Sequence, residues 1–289
     1  MQHALSRVSP TLDTDARTAW MALMRLTGPG ERLAAALALL LTPDSEQELR
    51  AWELAVRGEP TARALLERCR RLPASARLPA LERLLQACAR DDTLEQRQSL
   101  MLAARRVMCA DGSVSALDRL VWLAVRHLLS GPVRLHRGGL REDNDLTQLP
   151  LAMRQAIASV TAYLARLVPE PPRRERIDAS GTAWHDRVVL AVWGEASMPP
   201  TCQVPDVDRF GRALQTLEGL GWVHRPLLAR LWVDAADTRP GLRTRLDEPL
   251  PPAAEALRLA CVLLDAPLPP ALAAHFIRDP EQERRADGT

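Results

Sequence analysis

Apolar side chains recur every three or four positions along most of the chain, which is the spacing of one face of an α-helix. The segment around Trp20 follows this spacing. Asp13 or Thr14 stands where a cap is needed at its start, and Gly28 stands where the helix is expected to end. The run 33–41 is apolar on nearly every face, which predicts a buried helix. Amphipathic segments of this kind continue through most of the chain and predict an all-α protein.

Proline and glycine residues divide the pattern into segments joined by short connections, as in a helical array or bundle. Pro73 separates two segments, and Pro79 is expected to end a short turn and to begin the next helix proper. A longer stretch rich in glycine and charge near the middle predicts a linker. We therefore predict an N-terminal helical domain at 1–130, a linker at 131–148, a second helical domain at 149–278 and a frayed tail at 279–289.

Composition supports the all-α class. Of the 289 residues, 47% are hydrophobic but only 3% are aromatic. Leu and Ala dominate the apolar share, and both favour helices over strands. We therefore predict a multi-helix array of about a dozen helices, which is the number of periodic segments.

The charge of the chain argues against nucleic acid as a partner. It has 38 basic and 36 acidic side chains, a formal net charge of +2, and no lysine. Arginine suits phosphate groups, but a balanced charge provides no attractive field for a polyanion. The exclusive use of arginine is typical of a GC-rich genome. We therefore predict no nucleic-acid partner.

The start of the chain and its cysteines are typical of a cytoplasmic protein. The first residues, MQHALSRVSP, lack the apolar core of a signal peptide. The longest apolar run, 33–41, is roughly half of the ~20 residues that a membrane helix needs, so direct membrane insertion is not expected. Five cysteines without a C-x-x-C pair predict free thiols in a reducing compartment.

The stretch that most resembles a site is CADGSVSALDRLVWL, which begins at Cys109. Asp111 and Asp118 lie on either side of a tight turn and together could coordinate a divalent cation through their carboxylates. The alternative is structural. Gly112 is free to take a positive φ after one helix, and Ser115 with Asp118 matches a capping box for the next. The capping interpretation explains more of these residues and is favoured.

A divergent copy of this unit occurs in the second half of the chain. Asp237 follows one helical segment, and Glu255 opens the apolar segment after it. A proline-containing insertion separates the two acidic residues, so the copy lacks the regularity of a solenoid repeat. Asp237 and Glu255 allow the same two interpretations, a cation site or the ends of helices.

No set of residues converges on a catalytic site in the sequence. His185 and Asp186 are adjacent in WHDR, and Ser180 and Cys202 are the nearest nucleophiles. Neither nucleophile lies in a motif that would activate it. We expect His185 and Asp186 to lie near the first turn of a capped helix, and we predict no enzymatic activity.

Tryptophan provides most of the aromatic side chains, with seven residues against two phenylalanines and one tyrosine. The tryptophans are expected to pack helix against helix. Contact with a partner is the alternative, since tryptophan and arginine are favoured at interfaces. The arginine-rich stretch 171–180 also carries acidic residues, so a solvated linker is favoured there over an anion-docking site.

Several stretches resemble one bacterial family. RLPASARLPALERLLQA and MCADGSVSALDRLVWLAVRHLL are similar to the first half of the cytosolic C-terminal accessory region of HtpX-type membrane zinc peptidases. RPLLARLWVDAAD and EALRLACVLLDAPLPPAL are similar to the closing segment of that region. The helix–ADG–helix unit in turn resembles the all-α TerB-like fold of tellurite-resistance proteins. The resemblance covers 32–272 and implies two TerB-like helical units.

The signature of the peptidase itself is missing from the chain. A zinc peptidase of that family needs H-E-x-x-H on one helix, which places two imidazoles and a glutamate at the metal. The six histidines here never lie four residues apart, and none precedes a glutamate. The resemblance therefore implies an accessory region without the protease.

The sequence thus favours a non-enzymatic protein-binding module, an adaptor or regulator without a cofactor. Its partner would be another protein, with membrane-associated and stress-response proteins as the leading candidates. One alternative is a metal-dependent sensor that binds a divalent cation through Asp111 and Asp118. The other is an immunity protein that neutralises a toxin, since a small helical antitoxin needs only a binding face.

Overall fold

The computed structural model describes residues 10–130, 145–169, 176–194, 198–236 and 251–277. Within these ranges the chain forms thirteen α-helices and one 3-10 turn, and it contains no strand. The all-α class predicted from the periodicity is confirmed. The helices divide into two compact units, one made of 10–130 with 273–277 and the other of the described residues from 145 to 272.

The first unit is built around helix α2. Residues 34–38 of this helix are at most 2% exposed, which confirms the buried helix predicted from the apolar run. Trp52 of α3 packs against it, and its indole Nε1 donates to the carbonyl of Ala34 at 3.0 Å. The helices of this unit are α1 (Thr14–Met24), α2 (Pro29–Leu40), α3 (Glu46–Ala55), α4 (Ala62–Arg70), α5 (Ala74–Asp91), α6 (Leu94–Met108) and α7 (Ala116–Leu129).

The first joint of the chain differs from its prediction. Asp13 rather than Thr14 caps α1, because its carboxylate accepts a backbone N–H of the first turn at 2.7 Å. The expected stop at Gly28 is wrong, since α1 ends at Met24. Gly28 is the N-cap of α2, and Pro29 follows in the first helical position. Proline suits that position because a helix start leaves this N–H unpaired in any case.

Pro79 lies inside α5, so the predicted helix start at this residue is wrong. A proline there cannot donate to the carbonyl four residues earlier, which belongs to Ser75. That carbonyl accepts instead from the backbone N–H of Ile277 at 3.2 Å. The neighbouring Phe276 is only 1% exposed, so the closing residues complete the core of the first unit. The second unit accordingly ends at Leu272, before the predicted boundary at 278.

The second unit begins with a 3-10 turn, Leu146–Gln148, inside the stretch predicted as a linker. Asp145 stabilises this turn by accepting from the backbone N–H of Thr147 at 2.8 Å. The rest of that linker, 131–144, and the predicted tail, 279–289, lie outside the described residues. The following helices are α8 (Leu151–Leu164), α9 (Ala179–Trp193), α10 (Val207–Glu218), α11 (His224–Ala236), α12 (Pro252–Leu263) and the short α13 (Pro270–Ala273).

Two buried tryptophans connect the helices of the second unit. The indole Nε1 of Trp184 donates to the carbonyl of Trp232 at 3.1 Å. The indole of Trp232 donates in turn to the hydroxyl of Thr161 at 3.0 Å. These bonds join α9, α11 and α8 and satisfy polar groups that are costly to bury without a partner.

Helix α9 lies close against the end of α8 at Gly181. A Cβ atom on this residue would lie 2.1 Å from the carbonyl oxygen of Ala165, the residue that caps the end of α8. The backbone N–H of Gly181 donates to the carboxylate of Asp178 at 2.8 Å, which caps α9. The absence of a side chain at this position therefore sets the distance between the two helices.

The described helices give no membrane-spanning candidate. In these parts of the chain, no helix combines the length and the apolar composition that crossing a bilayer requires.

All five cysteines are free thiols, as the sequence predicted.

Candidate binding groove

The loop between α6 and α7 contains the capping box predicted from its sequence. Gly112 has a φ of +79°, and Ser115 is the N-cap of α7. The hydroxyl of Ser115 accepts from the backbone N–H of Asp118 at 3.1 Å. The Asp118 carboxylate accepts in return from the backbone N–H of Ser115 at 2.8 Å. The capping interpretation of these residues is confirmed.

The second carboxylate of the loop also has local donors. Asp111 accepts from the backbone N–H and the hydroxyl of Ser113 at 2.9 and 2.8 Å. These bonds hold the pKa of the Asp111 carboxyl below its usual value. In the described ranges, no group of three or more His, Cys, Asp or Glu side chains is placed to hold a metal ion. Glu255 lies in the first turn of α12, and Asp237 lies outside the described residues.

We expect Ser115→Ala to lower the free energy of unfolding of the first unit by about 1 kcal/mol, the usual effect of losing an N-cap side chain. The substitution removes the acceptor for the Asp118 N–H and leaves the rest of α7 unchanged. Ser99→Ala is the matched control, because Ser99 is exposed in the middle of α6, where alanine favours the helix. Urea unfolding of both variants measures the difference. If Ser115→Ala and Ser99→Ala were equally stable, the Ser115 cap would not stabilise α7.

His185 and Asp186 lie in the second turn of α9 rather than in its first turn. The imidazole is buried, and its Nδ1 lies 2.9 Å from an Asp186 carboxylate oxygen. Its Nε2 has no hydrogen-bond partner among the residues that the structure describes. Ser180 donates its hydroxyl to Asp178 at 2.7 Å, within the cap of the helix. Burial, and then the charge of Asp186, raises the pKa of the Cys202 thiol to about 12. A thiol with that pKa is protonated at neutral pH, the opposite of an activated nucleophile.

The tryptophans divide between core and surface. Trp222 is 67% exposed, and Trp122 is half-buried. Core packing is confirmed for the other five, which are at most 7% exposed: Trp20, Trp52, Trp184, Trp193 and Trp232. Of the arginine-rich stretch 171–180, only the part from 176 onward lies in the described residues.

Helices α8 and α10 of the second unit lie side by side and form the walls of an open groove. Their contact includes Tyr163 of α8 and Phe210 of α10, whose rings stack with centroids 4.0 Å apart and planes 13° apart. Ala213 and Leu217 continue the buried face of α10. This amphipathic spacing determines which face of α10 points outward.

Small side chains leave the space between these two helices unfilled. Ala152, Ala156 and Ser159 line the groove from α8, and Pro200 and Thr201 line it from the segment that precedes α10. The cavity has a volume of about 530 Å³. That volume lies within the range of roughly 300–1,000 Å³ that is common for binding sites.

Two arginines of α10 also line the groove. Arg209 and Arg212 lie three positions apart, so they share one face of the helix, with Cβ atoms roughly 5–6 Å apart. Both are exposed. Among the described residues, neither guanidinium lies within ion-pair distance of a carboxylate. Asp206, three positions before Arg209, accepts from the backbone N–H of that residue at 2.7 Å as the N-cap of α10.

Sequence reasoning missed this groove. The signal available was the alternation in DRFGRALQTLE, where Arg209 and Arg212 flank the buried Phe210, together with the alanine-rich face of α8. Neither pattern by itself indicates that the two helices are neighbours. The groove arises only when α8 and α10 pack together.

A larger cavity, of about 690 Å³, opens in the first unit beside the C-terminal end of α2. Its charged lining has both signs, with Asp44 and Glu46 as well as Arg70 and Arg77. Arg77 already donates to two carbonyls at the end of α2, each at 3.1 Å. Because its charges are balanced and partly used within the fold, this cavity selects no class of ligand.

The chain matches no family model, no curated protein and no solved structure. The resemblance to the HtpX-type accessory region and to the TerB-like fold therefore remains a prediction from the residues quoted above.

Proposed function

We propose that this protein is a non-enzymatic protein-binding module, an adaptor or regulator that holds its partner in the groove between α8 and α10. The observation that carries the proposal is the groove itself. It joins an open cavity of about 530 Å³ to two exposed arginines that have no carboxylate partner among the described residues. Arginine is among the side chains that contribute most at protein interfaces.

Exposed apolar side chains flank the groove residues along the chain. Leu151 precedes the lining residue Ala152, and Val207 lies two positions before Arg209. Met198 begins the segment that leads to the groove wall at 200. These three side chains are 55%, 75% and 95% exposed. Exposed apolar side chains so close in the chain to the groove residues favour a protein partner, which buries such side chains together with arginines.

The identity of the partner is proposed from the resemblance alone. The accessory region that this chain resembles is attached to membrane peptidases, which supports a membrane-associated or stress-response protein as the partner. An immunity role would use the same surface, with a toxin as the bound protein.

The test is cross-linking of the full chain in its native host, capture, and reconstitution of each candidate complex from purified proteins. We expect Ala152→Asp to weaken the reconstituted complex at least about tenfold, because it places a charge in the lining of the groove. An aspartate in the first turn of α8 suits the helix dipole, so the fold is retained.

Leu190→Asp is the matched control. Leu190 is 53% exposed on α9 of the same unit and does not line the groove. It is expected to leave the affinity unchanged. A failure to reconstitute any complex, or equal binding by Ala152→Asp and the unmodified chain, would overturn the proposed function.

A further inference from the structure

We infer that the occupant of the groove is an acidic segment of the partner, whose Asp or Glu carboxylates bind Arg209 and Arg212. The inference rests on the proposed function, since it names the chemistry of the segment that the groove receives. It adds a ligand class to the site and assigns two residues as its specificity determinants.

Charge complementarity selects this occupant. A guanidinium presents a planar set of donors that matches a carboxylate in two parallel hydrogen bonds. Arg209 and Arg212 offer two such groups on one helix face, both exposed and neither paired among the described residues. Two carboxylates on alternate residues of an extended segment lie roughly 7 Å apart, close to the spacing of the two arginines.

The floor of the groove adds a second requirement. It is formed by alanines, among them Ala156 of α8 and Ala213 of α10, both of which are buried. In an extended segment the side chain between the two carboxylates points the other way, toward α8, where Ala152 and Ala156 leave room for a small aliphatic group. Gln155 and Gln203 stand exposed in the lining, where their amides can bond to the backbone of an extended segment. The groove thus fits an acidic–apolar–acidic sequence.

The surroundings of the arginines disfavour a polyanion. Asp206 and Asp208 are exposed at the start of the same helix. Their charge repels a nucleic acid or a polyphosphate that approaches along α10. Two phosphate contacts also release too few counterions for strong binding to nucleic acid. A short segment with two carboxylates can bind both arginines. It carries far less negative charge than a polyanion, so the two aspartates repel it less.

The experiment is selection of peptides from a random phage-displayed library on the immobilised full chain, followed by titration with the selected peptides labelled by fluorescein. We expect the enriched peptides to carry two or more Asp or Glu residues. Arg209→Glu/Arg212→Glu is expected to weaken their binding at least about tenfold, and added salt is expected to weaken it as well.

Arg230→Glu is the matched control. Arg230 lies on α11 of the same unit, its side chain is 74% exposed, and it is not part of the groove lining. It is expected to bind the peptides as the unmodified chain does. Circular dichroism verifies that the double variant is folded, and Arg209→Gln/Arg212→Gln replaces it if charge reversal disturbs α10.

Three results would overturn the inference: no enriched peptides, enriched peptides without acidic residues, or peptides that bind the double variant unchanged. Displacement of the peptide by millimolar inorganic phosphate, or by an oligonucleotide at the concentration of the peptide, would also overturn it in favour of a simple anion site. A reconstituted complex that Ala152→Asp disrupts and the arginine variant does not would leave the proposed function intact and remove only this inference.

Discussion

Replacing Arg32 with methionine is expected to destabilise the first unit by about 3–5 kcal/mol, since it breaks a buried ion pair from one side. Arg32 lies in α2 and is 5% exposed. Its guanidinium bonds to the carboxylate of Asp92, which caps the C-terminal end of α5 and has a side chain 6% exposed. Without Arg32, this carboxylate stays buried with its charge uncompensated.

Two further variants isolate the cause of this loss. Arg32→Met/Asp92→Asn removes both charges and is expected to recover part of the stability, because no uncompensated charge remains buried. Arg90→Met is the control, since the Arg90 side chain is 73% exposed and its pair with Asp91 is screened by water. Urea unfolding measures the stability of the three variants. Hydrogen exchange of α2 and α5 shows where in the first unit stability is lost. If Arg32→Met were as stable as Arg90→Met, the ion pair between Arg32 and Asp92 would contribute little to the stability of the first unit.

Replacing Gly181 with alanine is expected to destabilise the second unit by about 3 kcal/mol, the upper end of the usual cost of overpacking. The new Cβ would lie 2.1 Å from the backbone oxygen of Ala165, so α8 and α9 must move apart. The two nearest contacts, the carbonyl oxygen and carbonyl carbon of Ala165, are backbone atoms that cannot turn away. The better helix propensity of alanine, worth about 1 kcal/mol, offsets only part of this.

Gly211→Ala is the matched control for this substitution. Gly211 lies in α10 of the same unit, and a Cβ there meets no atom of the described part of the chain within 4 Å. It is therefore expected to raise the free energy of unfolding by roughly 0.5–1 kcal/mol, the helix-propensity gain alone. Thermal and urea unfolding of the two variants should move in opposite directions. A shift of the same sign in both would refute the close contact at Gly181.

Local features of the fold were predictable because they depend on residues within one or two turns of each other. The pair Ser115 and Asp118 illustrates this, since each bonds to the backbone of the other three positions away. The buried helix at 33–41 was predictable for a similar reason. A run that is apolar on every side has no face that favours water.

Pro79 shows where such reasoning fails. Proline generally breaks a helix because it leaves a carbonyl without its donor. Here the carbonyl of Ser75 finds that donor in Ile277, far along the chain, so α5 continues through the proline. The rule correctly predicts that proline removes one hydrogen bond. The helix start expected at Pro79 was wrong because a donor from a distant segment replaces that bond.

The sequence by itself determined the helices of this protein, the caps at several of their starts and the balanced charge, because each follows from composition or from neighbours in the chain. The tertiary structure alone decided which helices meet. It paired Arg32 with Asp92, placed Gly181 against Ala165 and brought α8 beside α10 to open the groove at Arg209 and Arg212. The physical reason is that these contacts depend on how apolar faces pack together, and many pairings of such faces bury similar areas until side-chain shape and buried polar groups select one.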